Sequence, residues 1–166
     1  FKWYIKMLAK KLVATLLRFS PVIILGIILP YPFHLSAPIS IESFIIFIVA
    51  LFLALFLTTS LNLCIHILIM FTLDEKGTMT IYSVIAELFM GAIVPIPFFP
   101  LWLQKIAYLL PFRFIGDFPF RIYSGSISLN EGYNMLLSSF IWIIITIFVG
   151  HIISKCALEK AVIQGG

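Results

Sequence analysis

Few side chains in this sequence are of a type and in a place to do chemistry, and the most conspicuous is Glu87. This acid lies nine positions after Thr78 in an otherwise uncharged apolar run, which is about 13 Å along a helix that rises 1.5 Å per residue. A carboxylate at that depth of a bilayer costs about 2.5–3.5 kcal/mol. We therefore expect Glu87 to face other helices, to be protonated, or to pair, with Asn62 and His66 of the preceding apolar run as the candidate partners. Such a residue either holds helices together or takes part in gating a pathway.

Motifs for catalysis, metal binding and nucleotide binding are absent from the sequence. It has no HExxH pair, no glycine-rich phosphate loop, and its segment 125–129 departs from the GxSxG nucleophile motif at the last position. Cys64 and Cys156 lie in apolar stretches without neighbouring metal ligands. Their types predict small buried hydrophobes and leave their redox state open. The sequence thus predicts a chain that is not an enzyme and holds no cofactor or metal of its own.

The composition indicates the environment in which these residues work. Of the 166 residues 62% are hydrophobic and only 11% are charged, and the mean hydropathy is +1.16. A soluble domain of this size cannot bury so much apolar surface, and disordered chains are poor in apolar residues. The net charge of +4 is small and forms no basic stripe, which argues against nucleic-acid binding. We predict an integral membrane protein.

Four apolar runs are long enough to cross the hydrocarbon core, which needs about 20 helical residues. They predict an all-α integral membrane protein, a single transmembrane domain over 1–166, with spans at 14–33, 43–72, 78–98 and 133–154. Eight lysines and arginines lie on one side, namely those before the first span together with Arg18 near its start, those between the second and third spans, and those after the fourth, whereas three lie in the loop 101–132. The positive-inside rule then places both termini in the cytoplasm and the chain in the cytoplasmic membrane.

Two segments outside the spans are unusual. The leader 1–12 is a basic amphipathic helix with lysines at i, i+4 and i+8, which either rests on the anionic leaflet or docks a partner protein. Three prolines within 95–100 forbid a regular helix there. The apolar pieces that follow are too short to cross, so 99–125 is predicted to form short outer re-entrant helices. Arg113, Asp117 and Arg121 recur every four residues, which predicts a stripe in which Asp117 bridges both arginines.

The segment 90–125 carries a family resemblance. It resembles the permease subunits of type-2 ATP-binding-cassette exporters in the order and spacing of Gly91, Pro95 and Pro100, then Leu110-Pro111-Phe112, Pro119 and Tyr123-Ser124-Gly125. The terminal Gln164-Gly165-Gly166 is similar to the antibiotic and multidrug export branch of that family.

The resemblance implies a six-helix permease of which this chain, starting at Phe1, would be the C-terminal part with the last four spans. It implies a translocation pathway formed with a second permease copy or paralogue and driven by two cytoplasmic ATPase subunits, which carry the ATP and Mg²⁺. The cytoplasmic surfaces 1–11 and 72–78 would dock the ATPase, with Lys6, Lys10, Asp74 and Glu75 as candidate contacts, and 101–120 would shape the exit gate.

Two other classes of function stay open on the sequence. One is an intramembrane enzyme that uses Glu87 and His66, and the other is a membrane scaffold or channel subunit that does not transport actively. No motif names a substrate, because the specificity of an exporter lies in the shape of its cavity.

Overall fold

The computed structural model describes residues 2–30, 36–72 and 74–164, and those residues form helices and connections without a strand. The helices are α1 (Lys2–Ile28), α2 (Ile41–Thr72), α3 (Glu75–Phe89), α4 (Leu101–Leu109), α5 (Asp117–Tyr123) and α6 (Leu129–Gln164), with 3₁₀ turns at Ile96–Phe98 and Pro111–Phe114. The predicted all-α class is thus confirmed.

Two helices of the described residues are long and apolar enough to cross a membrane, over Ile41–Met70 and Leu129–Ala157. They are α2 and α6, and each exceeds the roughly 20 residues that the hydrocarbon core requires. The crossing of α1 and of α3 stays a prediction.

The two spanning helices pack against each other in parallel. Gly132 of α6 lies against Ile46 of α2, and Gly150 of α6 lies against Cys64 of α2. Both pairs are separated by 18 residues along their helices, which is five helical turns. Since the contacts advance in the same direction along both helices, α2 and α6 run parallel to each other.

The interface between α2 and α6 follows a heptad-like spacing of small and medium side chains. The buried residues of the two helices include Ser43, Ile46, Ala50, Ala54 and Leu57 of α2, with Gly132, Ser139, Ile143, Thr146 and Gly150 of α6. Small residues allow close approach of helix backbones where lipid offers no hydrophobic driving force. Steps of three and four residues between buried positions are typical of left-handed helix packing.

Helix α1 is one continuous helix that contains both the leader 1–12 and the start of the predicted span 14–33, and the division between leader and span stays a prediction. It runs without interruption from Lys2 to Ile28 and contains Pro21. It ends before Pro30, because a residue that precedes proline disfavours helical backbone. The end of the predicted span, 31–33, lies outside the described residues.

Helix α3 is shorter than the predicted span 78–98. It ends at Phe89, and Gly91 adopts a left-handed φ of 80°. The Gly91 amide donates to Leu88 O (3.1 Å) and the Ala92 amide donates to Glu87 O (3.1 Å), which is the pattern of a glycine-terminated helix. The break therefore precedes the prolines that were expected to cause it. Fifteen residues span only about 22 Å.

The segment between α3 and α6 folds back into the structure through two short helices. Phe114, Phe118 and Ile122, in and around α5, pack in one core cluster with Ile46 and Leu57 of α2. Phe118 and Ile122 are completely buried. The segment thus occupies the space beside α2 and α6 rather than lying loosely on an outer surface.

The two ends of α5 are held in different ways. At its start, Gly116 lies against the Met90 carbonyl at the end of α3. At its end, the Tyr123 hydroxyl donates to Ser36 O (2.6 Å) and the ring lies 5.0 Å from that of Phe47. Helix α5 therefore runs from the end of α3 toward the beginning of α2.

Candidate functional site

A polar junction joins α1, α2 and α3, and it consists of Lys11, Thr58, Asn62 and Tyr82. Lys11 Nζ donates to Thr58 O at 3.2 Å. In the amide orientation that satisfies its neighbours, Asn62 Oδ1 accepts from Lys11 Nζ at 2.6 Å and Asn62 Nδ2 donates to the Tyr82 hydroxyl at 3.0 Å. One amide side chain therefore connects three helices.

Helical geometry explains why these side chains meet. Asn62 follows Thr58 by four residues, so both lie on one face of α2. On α1, Lys6 and Lys10 are exposed while Lys11 is partly buried, because a step of one residue turns a helix by about 100°. Lys11 lies on the apolar side of the amphipathic helix and reaches α2.

Lys11 is partly buried, and its partners among the described residues carry no charge. The groups that accept its hydrogen bonds, a backbone carbonyl and an amide, are both neutral. Burial lowers the pKa of Lys11 from 10.5 to about 8. The ammonium group thus carries a desolvation cost that only its two oxygen partners offset.

Glu87 does not join this junction in the single chain, and its pairing with another polar group stays a prediction for the assembled permease. Its side chain is exposed, and the structure gives its carboxylate no hydrogen bond or ion pair within the described ranges. Tyr82 takes the position against Asn62 instead. Five residues separate Tyr82 from Glu87, which turns the acid about 140° away from α2.

An open cavity of about 320 Å³ lies beside the junction, between α2 and α3. Its walls are apolar apart from Thr78 and the Tyr82 hydroxyl, and Phe112 of the 3₁₀ turn Pro111–Phe114 closes one side. The Tyr82 and Phe112 rings are 6.2 Å apart, within the range of aromatic contact. His66 is partly buried in the same stretch of α2.

The second charged cluster, in the segment after α3, is only partly as predicted. Asp117 pairs with Arg121 at 3.7 Å within α5. Arg113 instead donates to Tyr108 O (3.4 Å) and lies over the rings of Tyr108 and Phe114 at 5.1 and 4.8 Å. The bridge to both arginines is absent because Arg113 precedes α5, so the helical spacing of four does not apply to it.

Burial shifts the pKa values of Asp117 and Arg113 in this cluster. It raises the pKa of Asp117, which the neighbouring Arg121 and Arg113 partly oppose. It lowers the pKa of Arg113, against the attraction of Asp117.

The four candidate docking residues are exposed: Lys6 and Lys10 on α1, Asp74 and Glu75 at the start of α3. Asp74 also has a structural role that the sequence interpretation omitted. Its Oδ1 accepts from the Gly77 amide at 3.0 Å and caps α3. Within the described residues no group of histidine, cysteine or acid side chains could hold a metal ion.

Sequence reasoning singled out Asn62 but missed Lys11 and Tyr82. The available signal for Lys11 was its position outside the lysine series at 2, 6 and 10, on the same arc as Leu8 and Leu12. No comparable signal marks Tyr82, since a tyrosine in an apolar helix is common at the membrane interface.

Comparison with known protein families gives a match. The sequence model of the family described as ABC-2 family transporter protein matches residues 4–165, which is nearly the whole chain. Comparisons with curated proteins and with solved structures give no match. A family match of this extent, on an all-helical chain with two candidate membrane spans, decides the identity: the chain belongs to the ABC-2 family of transporter proteins and is a transmembrane permease of an ABC transporter.

Proposed function

We propose that this chain is the transmembrane subunit of an ATP-driven exporter, working with a second permease copy or paralogue and two cytoplasmic ATPase subunits. The observation that carries the proposal is the family match over residues 4–165. The sequence has no phosphate-binding loop, so hydrolysis of ATP with Mg²⁺ falls to the partner. The Gln164–Gly166 end, similar to the antibiotic and multidrug branch, supports export of such compounds.

The parallel packing of α2 and α6 supports four crossings. Two parallel spans have their starts on the same side of the membrane, so the chain from 75 to 128 has to return to that side between them. We assign the return to α3 and the segment after it, and a further crossing to α1. The excess of lysine and arginine supports a cytoplasmic position for both termini.

Two polar anchors mark the depth of the membrane in this arrangement. At the outer end, the Tyr133 hydroxyl of α6 donates to Glu42 of α2 at 2.7 Å. At the inner end, Lys11 bonds Asn62 of α2. Glu42 and Asn62 are 20 residues apart, which is about 30 Å of helix and equals the hydrocarbon thickness. The last ten residues of α2 would then project into the cytoplasm.

The face of α3 that carries Glu87 and points away from α2 supports a pathway shared with a second permease. Tyr82 lies at the level of Asn62, and Glu87 follows it by five residues, which is about 7 Å further into the hydrocarbon. Glu87 is nevertheless exposed beside Val84 and Ile85. A carboxylate does not rest in lipid, so we assign this face to the translocation pathway, whereas Asn62 contacts α3 through Tyr82 on the side that faces α2. The same exposure argues against an enzyme in which Glu87 and His66 act together.

The exposed charges at the cytoplasmic ends of α1 and α3 support docking of the ATPase. Lys6 and Lys10 supply cations, and Asp74 and Glu75 supply anions. Charged pairs at an exposed rim mainly set orientation and association rate, which suits a partner that has to engage in one register.

The test is reconstitution of the full-length permease with its ATPase in nanodiscs, followed by gel filtration and measurement of ATP hydrolysis. We expect the ATPase to co-elute with the permease. The double charge reversal Lys6→Glu/Lys10→Glu should lower its association at least tenfold. The matched control is Lys105→Glu, an exposed lysine of α4 that should leave association unchanged. A permease that binds no ATPase would contradict the proposal and favour a scaffold or channel subunit.

A further inference from the structure

A continuous chain of contacts runs from the cytoplasmic part of α1 to the re-entrant segment. Lys11 bonds Asn62, Asn62 bonds the Tyr82 hydroxyl, and the Tyr82 ring packs against Phe112. Phe112 belongs to the turn that leads into α5. Four side chains on four different elements are thus linked without a gap.

The polar contacts in this chain resist being broken one at a time. Lys11 and Asn62 lie next to apolar helix surface, where water is scarce and an unpaired donor or acceptor is costly. If the leader moves, Lys11 either draws α2 and α3 with it or leaves its partners unpaired. The bonded and the separated junction are therefore two discrete states rather than a continuous series.

The tyrosine has two separable contacts. Its hydroxyl belongs to the polar junction, while its ring contacts Phe112 and forms part of the cavity wall. Displacement of the hydroxyl therefore moves the ring against the turn Pro111–Phe114. That turn is rigidly continued into the core, because Phe112 and Phe114 are buried.

We propose that Lys11, Asn62 and Tyr82 form a coupling joint, which passes movement of the ATPase-docking part of α1 to the re-entrant segment through Phe112. Lys11 and Tyr82 are then positioning residues of the transport cycle and do not touch the substrate. This inference rests on the proposed function, since it needs an ATPase that moves the leader.

The experiment measures movement of the re-entrant segment without knowledge of the substrate. In a Cys64→Ala/Cys156→Ala background, spin labels are placed at Leu109→Cys on α4 and Leu137→Cys on α6, which are both exposed. Distances are recorded for the permease–ATPase complex in nanodiscs, before and after trapping with ATP and vanadate. In the parent we expect the distance distribution to shift on trapping.

Lys11→Met and Tyr82→Phe are expected to reduce the amplitude of that shift at least threefold while vanadate still traps ADP on the ATPase. Tyr82→Phe retains the ring against Phe112, so the core keeps its packing. Lys11→Arg retains a cation with several donors and should restore part of the shift. The double variant should be no worse than either single variant, because both remove the same link. Lys155→Met, an exposed lysine on α6, is the matched control and should behave as the parent.

Each outcome is informative. A full shift in both Lys11→Met and Tyr82→Phe overturns the coupling joint and leaves the proposed function intact. A parent that traps vanadate but shows no shift also overturns it. Failure of the ATPase to bind the parent at all overturns the proposed function and the coupling joint together. Gel filtration and trapping of ADP identify any variant that has not folded, and Lys11→Arg then decides between loss of fold and loss of coupling.

Discussion

Glu87 combines an acidic side chain, an apolar helix and an exposed position, and this combination leads to the first prediction. If the α3 face lines a pathway, Glu87→Cys in a Cys64→Ala/Cys156→Ala background should react at least tenfold faster with a water-soluble thiosulfonate than Ile144→Cys. Ile144 is an exposed residue of α6 that we assign to lipid, where no thiolate forms. Equal rates for the two cysteines would place Glu87 in lipid and remove the α3 face from the pathway.

At the scale of single residues, sequence identified the polar side chains but not their partners. Asn62 stood out because amides are rare in apolar helices, and the structure places it at the centre of the polar junction. Glu87 stood out for the same reason, yet it lies on another side of α3. Pairing depends on the rotation of each helix about its own axis, which a short, nearly uniformly apolar sequence does not specify.

At the scale of elements, two glycines test how the short helices are held. An added methyl at Gly116 would lie 2.6 Å from the Met90 carbonyl, a backbone atom that cannot move aside. At Gly132 it would meet the end of the flexible Ile122 side chain at 2.9 Å. We expect Gly116→Ala to destabilise the permease by about 1–3 kcal/mol and Gly132→Ala to change its stability little. Thermal unfolding in detergent, followed by tryptophan fluorescence, measures both, and an equal loss would show that α5 is not fixed against α3.

The ends of the elements were partly readable from sequence. The prolines at 95–100 correctly excluded a continuous helix, and short helices follow them. The true end of α3 is set by Gly91, whose left-handed backbone closes the helix. An isolated glycine in an apolar helix also occurs as a packing residue, as Gly150 does here, so its sequence context did not decide between the two roles.

At the scale of the whole molecule, the direct packing of α2 against α6 is the feature that composition could not supply. It depends on which small residues meet, Gly132 with Ile46 and Gly150 with Cys64, and any of several small residues would have served. Lysine and arginine counts predict the same orientation for both helices independently. The agreement of a packing register with a charge count is stronger than either observation, because the two rest on different residues.

The last prediction tests the orientation of the whole chain. Lys76 follows the start of α3 and Ser126 lies between α5 and α6, and both are exposed. If α2 and α6 both run from the outside to the cytoplasm, these residues lie on opposite sides of the membrane. In the cysteine-free background, Ser126→Cys in intact cells should react with a membrane-impermeant maleimide. Lys76→Cys should react only after the membrane is opened with detergent or presented as inside-out vesicles. Labelling of Lys76→Cys from outside would reverse the orientation, and with it the assignment of the α1 and α3 ends to the ATPase. Labelling of both residues from one side would show that the chain from 75 to 128 does not return across the membrane.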